Sequence, residues 1–152
     1  MYEYKATVVK VIDGDTVDVD IDLGFGIVMR DERVRIMGID TPESRTSDPT
    51  EKIFGNAAKA RVEELLGEEA ILKTQINKDG EDMKGKFGRI LGDFIVEEFE
   101  GQPRLLTEVL IEEHHAVKYM GGSKEETEAA HKANRQWLIE NSKVEYNIKM
   151  DI

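Results

Sequence analysis

The sequence predicts an α+β fold with a mainly β core, a barrel of five strands accompanied by three helices. Three observations predict it: apolar alternation in the first forty positions, two further short β-rich runs mid-chain, and helical spacing in three separate stretches. At 152 residues, 39% hydrophobic and 35% charged, the chain carries apolar material for one core. A single domain over residues 1–152 is expected, with its core at about 4–141 and a tail over 142–152.

Tyr4 to Ile12 is rich in β-formers, and Asp13-Gly14 is a turn signal. From Asp15 to Leu23 the alternation is strict, with Val17, Val19, Ile21 and Leu23 on one face and Asp18, Asp20 and Asp22 on the other. Asp15 shares the apolar parity and so points to the core side, an unusual place for a carboxylate without a partner. Gly24-Phe25-Gly26 breaks the pattern, and a third strand is predicted from about Ile27 to Ile39. Thr41 to Pro49, polar and punctuated by two prolines, reads as a surface loop.

Phe54, Ala58, Arg61, Val62, Leu65 and Leu66 recur at helical spacing, with Gly67 at the C-cap position. Ala70 to Asn77 and Arg89 to Val96 read as two more strands, and Leu105 to Glu113 as a short helix. Ser123 and Glu126 form a capping box that opens a helix to about Asn141, whose Ala130, Ala133, Trp137 and Leu138 are predicted to face the core. Five short strands with helices interposed suit a small, partly open barrel of the OB type, whose loops commonly carry a binding site.

Composition bounds the chemistry. The absence of cysteine excludes disulfides, thiolate metal sites and a cysteine nucleophile. No apolar run is long enough for a membrane helix, and the opening residues Met1 to Lys5 lack the basic and apolar regions of a signal peptide. A cytoplasmic protein is therefore expected, with no membrane partner. The net charge of −11 and pI near 4.8 argue, as composition alone, against a polyanionic partner.

Several familiar sites drop out. Asp18, Asp20 and Asp22 have the spacing of a calcium loop, but Leu23 and Met29 occupy its glycine and terminal glutamate positions. His114 and His115 point apart on a helix and His131 lies a helix away, so a zinc site is not expected and these residues read as surface or helix-end positions. What remains is a set of carboxylates and arginines at strand ends: Asp15, Arg35, Asp40, Glu43 and Arg89. Oxygen ligands suit a hard cation, and guanidiniums suit bidentate capture of phosphate. Together these groups are what phosphodiester hydrolysis requires. Each also has an ordinary structural reading, as a hairpin turn, a loop corner or a surface ion pair, and spacing alone does not show that they converge.

The combination Val11-Ile12-Asp13-Gly14-Asp15-Thr16, then Val34-Arg35-Ile36-Met37-Gly38-Ile39-Asp40-Thr41-Pro42-Glu43, then Lys86-Phe87-Gly88-Arg89 closely resembles the staphylococcal nuclease family over residues 4–141. The resemblance implies an OB-fold barrel and calcium-dependent hydrolysis of DNA and RNA that leaves 3′-phosphate and 5′-hydroxyl ends. It implies that Asp15 and Asp40 ligate Ca2+ through carboxylates and Thr41 through its backbone carbonyl. Glu43 would hold or deprotonate the attacking water, and Arg35 and Arg89 would bind the scissile phosphate. Lys86, Phe87 and Tyr119 fall at substrate-contacting positions, although Phe87 lacks the hydroxyl of the tyrosine the family often has there. Tyr119 stands in place of two tyrosines. The relatives it looks most like are intracellular or phage-type, and a monomer is expected.

Two other readings stay open. One is a non-catalytic barrel that binds nucleic acid or protein, and the other is an acidic partner-binding domain. Asp18, Asp20 and Asp22 lie on the solvent face of one strand, so net charge sums over surfaces that a substrate need not touch. The acidity still predicts weak capture of long polyanions in the absence of calcium.

Overall fold

β1 (Glu3–Asp13) lies at the centre of a computed structural model that describes residues 2–75, 88–98, 101–119 and 123–145. Its Lys5 pairs with Asp22 on one side and Ile71 on the other, so β1 is antiparallel both to β2 (Thr16–Gly24) and to β5 (Glu69–Thr74). β2 continues into β3 (Ile27–Ile36), and β5 pairs antiparallel with β6 (Ile90–Glu98). A parallel ladder from Val34–Ile90 to Ile36–Gly92 joins β3 to β6 and closes five strands into a mixed barrel. This is the predicted OB-type α+β architecture.

Three short strands add to the prediction. β3 stops at Ile36 because Gly38 turns the chain at φ 75°, and β4 (Ile39–Asp40) leaves in a new direction to pair with β8 (Val117–Lys118). β7 (Gln102–Leu105) pairs on β6 alone, an edge position where Pro103 removes no needed donor.

Alternation along β2 decides what fills the barrel. Val17, Val19 and Ile21 are buried against Val34, Ile36, Leu72 and Phe94. Asp18 and Asp20 face outward and pair with Arg33 and Arg30 of β3, the former bidentately at 2.8 and 3.1 Å. The predicted inward Leu23 is instead exposed, because β2 outruns the barrel interior and ends in a hairpin whose tip, Phe25, stands in solvent.

α1 (Pro49–Leu66) starts inside the predicted loop, because the Asp48 carboxylate caps it by accepting from Thr50 N and Glu51 N. Phe54, Ala58, Val62 and Leu66 bury one stripe, as the spacing predicts. Arg61 lies beside that stripe and clamps α1 to the end of α2 (Leu106–Glu112), donating to Glu113 at 2.6 and 2.8 Å. These bonds hold the Glu113 carboxyl below its ordinary range.

α3 (Lys124–Glu140) is capped by Ser123, whose hydroxyl accepts from Glu126 N at 3.1 Å. Of its predicted core-facing residues Leu138 is buried, whereas Ala130 is half-buried, Ala133 is exposed and Trp137 stacks on His114 at 3.8 Å between ring centroids. The docked stripe is His131, Asn134 and Leu138, because the helix lies on the polar ends of β4 and β8. No described helix is long and apolar enough to cross a membrane.

α2 has no side-chain cap of its own at Leu105. Asp93 of β6 supplies one across space, accepting from Thr107 Oγ1 at 2.6 Å and from Thr107 N at 3.3 Å. Burial is the larger influence on Asp93 and pushes its carboxyl above the ordinary value of 3.8 despite those bonds. The folded chain therefore binds a proton more tightly than the unfolded chain, so this group's contribution to stability declines as pH rises from 3.8 through the raised value. Urea unfolding at a series of pH values is expected to show that decline in the wild type and to show it reduced in Asp93→Asn, which cannot titrate.

Candidate active site

Asp15 follows the Asp13-Gly14 turn that joins β1 to β2, and it is buried on the core side as its parity predicts. Its Oδ1 accepts from the Thr16 hydroxyl at 3.0 Å and its Oδ2 from the Thr41 backbone N–H at 3.2 Å. Arg35 enters from β3, opposite Thr16 in the ladder. Its guanidinium donates to the carbonyls of Ile36 (2.6 Å) and Ile39 (3.0 Å), which fixes it across the β3–β4 turn. One nitrogen of that group, Nη2, lies 3.4 Å from Asp15 Oδ2 and 4.0 Å from Asp40 Oδ1. Asp40 is placed there by β4, which β8 holds through the Asp40–Val117 pair.

Two carboxylates far apart in sequence thus meet at one guanidinium. Burial raises the Asp15 carboxyl above its ordinary range, outweighing Arg35, the Thr41 N–H and the Thr16 hydroxyl, and the charge of Asp40 adds to the rise. Among the described residues, Thr41 Oγ1 is buried near Gly14 with no hydrogen-bond partner. Two converging carboxylates, one of them buried, and an orphaned hydroxyl on the adjoining Thr41 fit a hard cation. Among the described residues no cluster of three or more His, Asp or Glu side chains forms, so such a cation would take the rest of its shell from carbonyl oxygen and water.

Glu43 lies outside this pair, exposed on the loop that leads to α1. Its backbone is held from two directions. Ser44 donates through its N–H (3.0 Å) and its hydroxyl (2.5 Å) to Asp13 Oδ1, so Asp13 acts as a clasp for the loop. From the other side α1 presses against it at Gly55, where a Cβ would sit 2.1 Å from the Glu43 carbonyl oxygen.

Arg89, at the start of β6, lines an open cavity of about 510 Å3 on the outer barrel wall with Asp13, Thr16, Asp18, Asp31, Arg33 and Arg45. Thr16 connects the two regions, since it also donates to Asp15. Tyr119 is half exposed just beyond β8, and its N–H donates to Gly38 O at 2.9 Å beside the β3–β4 turn. Lys86 and Phe87 lie outside the described residues.

Sequence reasoning missed His131. It is no surface residue: its ring is 13% exposed, and Nε2 lies 2.7 Å from Asp40 Oδ2. The signal was available in the capping box, which sets the phase of α3 and puts His131, Asn134 and Leu138 on one stripe. His114 and His115 do sit at the helix end as expected, with His115 held below its ordinary value by burial. Arg45 and Gly55 were also missed, and neither belongs to a motif of its own.

Residues 33–143 match the staphylococcal nuclease homologue family, a span that contains Arg35, Asp40, Glu43, Arg89 and His131. The chain belongs to this family. It is also similar to a thermonuclease of Staphylococcus intermedius, 36% identical over 82 residues that cover 54% of this chain and 43% of the relative. The chain thus spans less than half the length of that relative. The nuclease family match begins within β3, so Asp15 enters the site through the fold and not through the matched segment.

The close approach at Gly55 yields a test. Gly55→Ala is expected to force the Glu43 loop off α1 and to cost about 1–3 kcal/mol in urea unfolding. Unchanged stability would mean that helix and loop separate freely.

Proposed function

We propose that this chain is a calcium-dependent nuclease that hydrolyses phosphodiester bonds of DNA or RNA and leaves 3′-phosphate and 5′-hydroxyl ends. The observation that carries the reading is the meeting of Asp15 and Asp40 at the Arg35 guanidinium, 3.4 and 4.0 Å from one nitrogen. Membership of the nuclease family supports it.

Asp15 and Asp40 would hold the cation through their carboxylates and Thr41 through its backbone carbonyl. Bound calcium supplies positive charge against the phosphodiester oxygens. Arg35, fixed by two carbonyls, presents a preset guanidinium to the same phosphate, and Arg89 contacts it from the start of β6. Glu43 takes the proton of the attacking water, a role open to it because the loop fixes its backbone and leaves its side chain exposed. The P–O5′ bond breaks as the water oxygen bonds to phosphorus, and the departing 5′-oxygen takes a proton from solvent to become the 5′-hydroxyl. By the family resemblance alone, Lys86 and Phe87 are assigned to substrate contact, and Tyr119 to packing against base or sugar.

Digestion of single- and double-stranded DNA and of RNA tests this reading. Cleavage is expected with calcium, abolished by chelator, and reduced about 100-fold or more in Glu43→Gln. Absence of cleavage in calcium, or cleavage indifferent to both chelator and substitution, would overturn it.

A further inference from the structure

The second oxygen of Asp40 belongs to α3. His131 lies 91 residues from Asp40 in sequence, yet its Nε2 is 2.7 Å from Asp40 Oδ2. An ionised carboxylate only accepts, so the ring nitrogen facing it carries the hydrogen. Three residues on, Asn134 donates to Ala116 O at 3.2 Å, immediately before β8. Leu138, four residues further along the stripe, is buried. α3 therefore meets the β4–β8 ladder through two polar contacts, one ending on backbone and one on a carboxylate.

We infer that His131 is a positioning residue for Asp40. By holding Oδ2, the α3 histidine fixes the carboxylate rotamer and leaves Oδ1 on the side of Arg35, 4.0 Å from the same Nη2 that faces Asp15. The inference rests on the nuclease reading where it concerns the cation, since a carboxylate held through one oxygen presents the other as a single-oxygen ligand of set direction. Partners that hold ligating groups in this way typically change metal affinity about 10- to 100-fold when removed. Asp40 is 36% exposed, so without His131 its side chain has open space in which to turn.

Calcium binding by titration calorimetry, without substrate, reads the effect directly. His131→Ala is expected to weaken binding about tenfold or more. His131→Gln, whose amide nitrogen falls near the position of Nε2, is expected to recover most of the loss. Asn134→Ala serves as the docking control: it removes the neighbouring tether of α3 and is expected to lower Tm while leaving calcium affinity unchanged. Equal or tighter calcium binding by His131→Ala would overturn the inference, and so would an Asn134→Ala loss as large as that of His131→Ala.

A second measurement needs no metal. In calcium-free buffer the Tm losses of His131→Ala and Asp40→Ala are expected to be less than additive in the double variant, because both remove one contact. Additive losses would overturn the inference. If the wild type binds no calcium, the nuclease reading falls, and the calcium-free cycle alone decides whether His131 holds Asp40.

Discussion

Arg35 occupies the position on which the site depends. Its guanidinium bonds two carbonyls on either side of the β3–β4 turn, so the charge that faces Asp15 and Asp40 is also the staple that shapes the turn delivering Asp40. A buried acid such as Asp15 is tolerated only near compensating charge, and burial still outweighs what Arg35 and two hydrogen bonds supply. The fold thus places an incompletely compensated carboxylate at the mouth of its core. Asp93 carries the same imbalance as a structural cap, so what sets Asp15 apart is that a second carboxylate, Asp40, meets it at one guanidinium.

What the sequence made legible follows from period and length. β2 was readable because three inward valine and isoleucine residues alternate with paired aspartates, and the same period correctly put Asp15 inside. Leu23 fits that period and still lies outside, because alternation says which face a residue takes and not where the barrel stops filling. β4 was invisible, since two residues have no period, and its existence depends on Gly38 and on a partner strand some eighty residues away. The family motif supplied Asp40 as a residue, whereas the reason it points at Arg35 lies in that short ladder.

The docking face of α3 was only partly legible, for a related reason. Apolar spacing assigns a helix face to a hydrophobic core, but α3 docks through His131 and Asn134 on strand ends, where the groups to be satisfied are a carboxylate and a carbonyl. Trp137, the largest apolar residue of the helix, covers His114 instead of entering the barrel. Apolar spacing finds Leu138 on this helix, but it does not score the polar contacts that His131 and Asn134 make on the same stripe.

The net charge of −11 also changes meaning once its members are placed. Asp18 and Asp20 are neutralised on the outer wall by Arg33 and Arg30, Asp13 is spent on the Ser44 clasp, and Asp15 and Asp40 face Arg35. These acids near the proposed site are therefore engaged, Glu43 being exposed, while Arg33, Arg45 and Arg89 line the cavity beside it together with Asp13, Asp18 and Asp31. Acidity elsewhere acts on long-range approach, which salt screens within roughly 10 Å at 0.1 M. On the proposed reading, a polyanion that reached the cavity would meet the local arrangement, not the sum, so overall charge would govern how often substrate arrives and the strand-end arginines what happens when it does.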